Sequence, residues 1–196
     1  MASTTLRELD GLDQTPASLV DSTLVLIDYQ NTYTRGVMEL TGWEAALDAA
    51  ADLLARARAA GSTIIHVIND GGEGTPYDIT AEIGQIHPRV AALEGEAVVV
   101  KTAPNSFIDT DLGERIDAAG NKNVILIGFM THMCVQFTAE GAFLRGNAPT
   151  VVADACATRP LSTAVAEVSA EQLHNAALAT IGDVYAVVVA KGSELT

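Results

Sequence analysis

The chain has 196 residues, 48% hydrophobic and 18% charged, with 25 acidic against 11 basic side chains and a net charge of −14. A chain of this length encloses about 70% of its unfolded surface, so one core holds it without disulfides or a structural metal. The acidic balance, with no basic cluster to offset it, argues against nucleic acid and anionic membranes as partners. Cys134 and Cys156 are the only cysteines, too few for a disulfide framework. Residues 1–21 hold no apolar run of the kind that marks a signal peptide, and no stretch is long enough for a membrane span. The expectation is a cytoplasmic protein of a single domain, residues 1–196, with residues 1–22 as an N-terminal extension.

The first apolar run, residues 23–28 (TLVLID), reads as a strand, and a long loop follows over residues 29–42. Residues 43–60 predict a helix: Trp43, Ala46, Leu47, Ala50, Leu53 and Leu54 recur at helical spacing, and Gly61 stops it. The second strand is expected at 63–69 (TIIHVIN), then a loop over 70–96 with a glycine-rich run, then a third strand at 97–101 (AVVVK). Residues 111–119 predict a helix ended by Gly120, 123–129 (NVILIGF) a strand, and 134–145 a helix ended by Gly146. Strands at 150–153 and 184–189 flank a last helix. That helix opens with the capping-box spacing of Ser169 and Gln172 and turns Leu173, Ala176 and Ala177 inward. The strands are almost unbroken in Val, Ile and Leu, as parallel strands covered on both faces are. Strand and helix in alternation predict a doubly wound α/β sandwich, in which ligands sit beyond the carboxyl ends of the strands.

Three polar residues stand where apolar strands stop. Asp28 ends the first, Lys101 ends the third, and Cys134 follows the fourth and opens a helix. Parallel strands end on one edge, so the three can meet despite their separation in sequence. Each has a plainer reading, as a helix cap, a solvated lysine and a small buried hydrophobe. In the chemical reading, the helix N-terminus and Lys101 lower the Cys134 thiol toward neutrality, and Asp28 carries its proton. Free N–H groups of the turn then receive an oxyanion.

The blocks LVLIDYQNTY (24–33), VVVKTAPNSFIDTDL (98–112) and IGFMTHMCVQFTAEGAF (127–143) carry a resemblance. They are similar to the isochorismatase-like cysteine hydrolases, a group that includes nicotinamidase, other amidohydrolases and streptothricin hydrolase. The resemblance spans residues 24–189. It implies a three-layer α/β/α sandwich on a six-stranded, mainly parallel sheet, a catalytic triad of Asp28, Lys101 and Cys134, and a tendency to form homo-oligomers. It also implies a non-proline cis peptide between Phe129 and Met130, which sets the Met130 N–H beside that of Cys134 as the oxyanion hole.

Metal-dependent nicotinamidases carry an Asp-x-His after the second strand, where this chain reads His66-Val67-Ile68-Asn69-Asp70-Gly71-Gly72. His66 falls inside the strand as a core residue and His87 in a loop, so no metal and no cofactor is expected. Cys156 has no helix start beside it and reads as structural. Tyr29, Asn31, Tyr33 and His132 are candidates to line the crevice; wall packing for the aromatics and a solvated turn for His132 are the plainer readings. The activity these residues point to is hydrolysis of an amide or lactam C–N bond in a small molecule, through a thioester on Cys134. A vinyl-ether hydrolase of the isochorismate type and a non-catalytic binding scaffold are the alternatives. The net charge would suit a cationic substrate such as streptothricin.

Overall fold

A computed structural model of the chain describes residues 3–196. Short helix α1 (Leu6–Leu9) is held by a capping box of Thr5 and Glu8, and β1 (Ser22–Ile27) follows. Next come α2 (Trp43–Ala60), β2 (Thr63–Asn69), β3 (Ala97–Lys101), α3 (Leu112–Ala118), β4 (Asn123–Phe129) and α4 (Gln136–Leu144). The chain closes with β5 (Ala148–Ala157), the short strands β6 (Leu161–Ser162) and β7 (Glu167–Val168), α5 (Ala170–Thr180) and β8 (Val187–Val189).

Six strands form one sheet in the order β3-β2-β1-β4-β5-β8, and every neighbouring pair in it is parallel. Alternate residues of the central strands serve opposite faces. Leu24, Leu26, Ile125 and Ile127 pack under Leu47, Leu53 and Leu54 of α2. Val25, Ile27, Val124 and Leu126 pack against Leu112 and Ile116 of α3 and Ala139 of α4. Each large side chain buried this way contributes about 1.5–3 kcal/mol. The expected three layers and six parallel strands are therefore present. No helix among the described residues is long and apolar enough to cross a membrane.

The sheet order reverses between β1 and β4. From β1 the chain winds outward through β2 and β3, then returns to place β4 on the other side of β1. At such a switch point the loops diverge and leave a crevice at the carboxyl ends of the strands.

The structure corrects several expected boundaries. The last strand begins at Val187, because residues Ile181–Tyr185 form a wide π turn that closes with Ala186 N–H donating to the Ile181 carbonyl. The N-terminal segment engages this turn: Arg7 donates to the Val184 carbonyl and the Leu6 N–H to the Asp183 carboxylate. The strand expected at 150–153 extends over Ala148–Ala157. Its pairing with β4 shifts between Leu126, opposite Val151, and Gly128, opposite Cys156. In α5 the Ser169–Gln172 capping box forms as expected, and Ala177 is buried. Leu173 is only half-buried, however, and Ala176 is exposed.

Candidate active site

Asp28 follows β1 directly, with a left-handed φ of 54°. Aspartate tolerates that conformation better than most residues. Its backbone N–H donates to the Val67 carbonyl of β2, and its side chain is wholly buried. Lys101 ends β3, two strands away from β1. Its side chain crosses the end of β2, where Asn69 is its partner in the parallel register. The ammonium there meets three acceptors: Asp28 Oδ2 at 2.8 Å, Asn69 Oδ1 at 3.2 Å and Cys134 Sγ at 3.3 Å. The contact with Asp28 is an ion pair rather than an aligned hydrogen bond, and neither Asp28 oxygen has another donor. The sheet edge thus brings Asp28, Lys101 and Cys134 together.

Cys134 is not at the first turn of an α-helix, as its sequence position suggests. It lies inside a π turn, Thr131–Val135, and the α-helix starts at Gln136. The Met130 carbonyl accepts from the N–H groups of Met133 and Val135, which fixes the turn. The peptide joining Phe129 and Met130 is cis. Gly128, just before it, has φ 149°, and a Cβ there would lie 2.1 Å from the Ile27 carbonyl oxygen. Only glycine lets β4 press this close to β1, one residue from Asp28.

The electrostatics correct the expected thiol. Burial pushes Cys134 up to about 12, the Asp28 carboxylate pushes the same way, and Lys101 opposes both. Burial also raises Asp28, against the pull of Lys101. For Lys101, burial works to lower the value, but Asp28 and Cys134 outweigh it and the ammonium is held. Lys101 thus sits against Asp28 beside a thiol whose charged form burial and Asp28 disfavour and Lys101 favours. Cys156 is also raised to about 12 by burial, and its thiol donates to the Val152 carbonyl, with no cation beside it.

The residues expected to line the crevice divide. Tyr33 does face the site: its ring packs edge-on against Phe129 and Tyr77, and its phenol is raised by burial and by the Asp28 charge. His132 is half-buried, with Nδ1 2.5 Å from the Thr158 hydroxyl at the end of β5. Tyr29 does not. It is a core residue, packed on Phe129, with its hydroxyl donating to the Ala155 carbonyl. Asn31 is likewise spent on the fold, donating from Nδ2 to the Glu82 carbonyl and from its backbone to Gln85. His66 sits in the core as expected, bonded to Glu96.

Three further residues shape the site. Asn69 holds the lysine, and buried Gln30 clamps Asn69 through both its carbonyl and its N–H. Tyr77 packs edge-on against Tyr33 beside the thiol, and its phenol is raised by burial and by the Cys134 and Asp28 charges; Arg159, past the end of β5, has its Nε buried without a partner. Asn69, which ends β2, follows the same strand-end rule that singles out Asp28 and Lys101. Tyr77, in the glycine-rich loop, carries no such signal. Among the described residues no three His, Cys, Asp or Glu side chains converge as a metal site would require.

At the switch point of this α/β sheet a buried Asp–Lys pair therefore stands against a cysteine. The isochorismatase domain matches residues 22–191. The chain belongs to the isochorismatase family and is a hydrolase of it. It is similar to the secreted isochorismatase effector Isc1 of Verticillium dahliae, at 36% identity over 93% of this chain and 95% of that one. The streptothricin hydrolase of Streptomyces noursei is 35% identical over 72% of this chain, which spans 56% of that enzyme. Among solved structures, an isochorismatase from Pseudomonas putida superimposes with a TM-score of 0.96 at 37% identity, covering 100% of both chains.

Proposed function

We propose that this protein is a cysteine amidohydrolase, cleaving a non-peptide C–N bond, amide or lactam, in a small molecule. The observation that carries the reading is the Lys101 ammonium, placed 2.8 Å from Asp28 and 3.3 Å from the Cys134 sulfur and shielded from solvent. Asp28 takes the thiol proton as Sγ attacks the carbonyl carbon, and Lys101 stabilises the sulfur's developing charge. The oxyanion is received by the N–H groups of Met130 and Cys134. Asp28 then gives the proton to the departing nitrogen, the C–N bond breaks, and the acyl group remains on sulfur as a thioester. Water attacks the thioester, Asp28 takes its proton and returns it to Sγ, and the acid leaves. Kinship with streptothricin hydrolase and with maleamate amidohydrolase of Pseudomonas putida, 30% identical over 69% of this chain, supports C–N chemistry. The test is intact-protein mass spectrometry with a slow amide substrate. A mass gain equal to the acyl half, absent in Cys134→Ala, is the expected result.

A second reading is favoured by the P. putida isochorismatase that aligns along the whole chain. In vinyl-ether hydrolysis Asp28 protonates carbon and no acyl-enzyme forms. Cys134→Ala then keeps most of the rate while Asp28→Asn loses it. A binding scaffold gives no adduct and no product from any substrate. We also propose a homo-oligomer, which the exposed Val98 and Val100 on edge strand β3 support; light scattering of the purified protein checks it. Two free buried cysteines support a reducing, cytoplasmic location, open to test by cell fractionation.

A further inference from the structure

The turn that carries the nucleophile, Thr131–Val135, is tied at its start to two other elements. The hydroxyl of wholly buried Thr131 lies 2.9 Å from His174 Nδ1 on α5, and His132 Nδ1 lies 2.5 Å from the Thr158 hydroxyl just past β5. His174 is a costly residue for its place. α5 turns Ala177 and Leu178 toward the core, three and four residues further on. An apolar side chain at 174 would extend that face without desolvating a ring nitrogen. Burial lowers His174 from its ordinary 6.5, so the imidazole is neutral at pH 7. Its one side-chain hydrogen bond among the described residues goes to Thr131.

What this bond holds is the start of the reactive segment. Thr131 directly follows Met130 and stands three residues before Cys134, so it lies between the two N–H groups assigned to the oxyanion. Lys101 reaches Sγ, at 3.3 Å, from β3, with β2 and β1 between it and the strand that feeds the turn. The sheet therefore fixes the lysine, while the turn needs its own restraint, and a misplacement of ~1 Å between reacting groups costs ~10²-fold in rate. With Asp28, Lys101 and Cys134 read as the reacting groups of the amidohydrolase, we propose that His174 is a positioning residue. Through Thr131 it holds the turn so that the Cys134 sulfur meets Lys101 and the Met130 and Cys134 N–H groups converge on the oxyanion. α5 thereby takes part in the reaction without touching a reacting atom.

Two reactions of the same sulfur separate positioning from a merely structural role. Alkylation by iodoacetamide displaces iodide at a saturated carbon and needs no oxyanion donors. Acylation by 4-nitrophenyl acetate does need them: the S–C bond forms, the thiol proton passes to Asp28 and 4-nitrophenolate leaves. Both are followed in wild type, His174→Leu, Thr131→Val, the double variant, and His174→Asn, which keeps a polar atom the same two bonds from Cβ as Nδ1. In His174→Leu and in Thr131→Val the nitrophenolate burst should slow by ~10–100-fold. Cys134 should meanwhile alkylate ~3–10-fold faster, as the loosened turn exposes it, with Cys156 labelling slowly as in wild type. The double variant should change no further than either single one, because the same bond is lost in all three. His174→Asn should recover part of the burst rate. A burst unchanged in His174→Leu, losses that add in the double variant, or Cys156 labelling faster together with Cys134 would overturn the positioning role. No burst even in wild type, with Cys134 alkylation raised equally in the singles and the double, would retain that role and overturn the amidohydrolase. No burst and unchanged alkylation would overturn both. Should His174→Leu fail to fold, Thr131→Val, close to isosteric, and His174→Asn carry the comparison.

Discussion

The Lys101 ammonium lies 2.8 Å from the Asp28 carboxylate although β2 separates their strands, and both side chains are fully shielded from solvent. A buried pair of this kind gives little net stability, because desolvation of both ions offsets their attraction. Removing one member alone is different, since it strands the other as an unpaired buried charge. Lys101→Met should therefore destabilise the protein by about 3–5 kcal/mol in urea unfolding. Adding Asp28→Asn to that variant should restore most of the loss and none of the activity. Equal stability of the single and double variants would show that the pair is not electrostatically coupled.

Glycine at 128 is required by contact as much as by conformation. Gly128→Ala would drive a methyl into the Ile27 carbonyl, 2.1 Å away, at a φ of 149°. Neither strand can yield, since Leu126 and Ile127 on one side and Ile27 on the other are wholly buried. The expected loss is about 3 kcal/mol of unfolding free energy, from overpacking and backbone strain together. Because Asp28 follows Ile27 directly, turnover of the remaining folded protein should fall as well.

Away from Asp28 and Lys101, the Arg58–Glu96–His66 cluster contributes to acid stability. Hydrogen bonds from Arg58 hold the Glu96 carboxyl at about 2, below its usual 4.5. Burial lowers His66 from 6.5 despite its bond to Glu96. Both folded values are depressed, so in each case the unfolded chain takes up the proton first. The His66 contribution is whole above pH 6.5 and declines below it. The Glu96 contribution is whole above 4.5 and is lost toward pH 2. The melting temperature should fall in two overlapping stages from pH 7 to 2. His66→Gln should flatten the upper stage and Glu96→Gln the lower.

The Asp28–Lys101–Cys134 cluster was legible because Asp28 and Lys101 stand where apolar strands stop and Cys134 in the turn after the next, at the edge where a parallel sheet gathers them. Strand β5 was legible only over its apolar part. Beyond Val152 it continues as Ala153-Asp154-Ala155-Cys156-Ala157, and its register shift against β4 has no hydrophobic signature. That hidden extension brings Thr158 against His132, two residues before Cys134. The two π turns were missed for a related reason. A five-residue turn and an α-helical turn share the same composition, and what selects the wider one is tertiary. Arg7 and Leu6 reach in to bond Val184 and Asp183 at one turn. At the other, His174 of α5 bonds the Thr131 hydroxyl. The assignment of Tyr29 to the crevice failed because alternation after β1 turns its ring into the α2 layer, where it packs with Phe129.

Asp28 and Cys134 set up the most discriminating outcome, because one substitution should move two observables in opposite directions. In the resting site the thiol is held near 12 by burial first and by the Asp28 charge second, while Lys101 pulls it down. Asp28→Asn removes the carboxylate's contribution and leaves the lysine's. Asparagine also accepts the left-handed backbone at this position, so the local backbone is kept although the stranded Lys101 charge costs stability, and both labelling and turnover are read on the folded fraction. The Cys134 thiol should then become more acidic and alkylate faster with iodoacetamide at pH 7 than in wild type, as followed by peptide mapping. Turnover should fall all the same, by the ~10²–10⁴ typical of a lost general acid–base group, since nothing remains to carry the proton to the leaving nitrogen. Cys156, buried with no cation or carboxylate in hydrogen-bond contact, serves as the internal control and should label slowly in both proteins. Slower alkylation of Cys134 in Asp28→Asn would mean that Asp28 generates a standing thiolate in the free enzyme. The neutral-thiol mechanism would then give way to one in which the ion pair is formed by sulfur and Lys101.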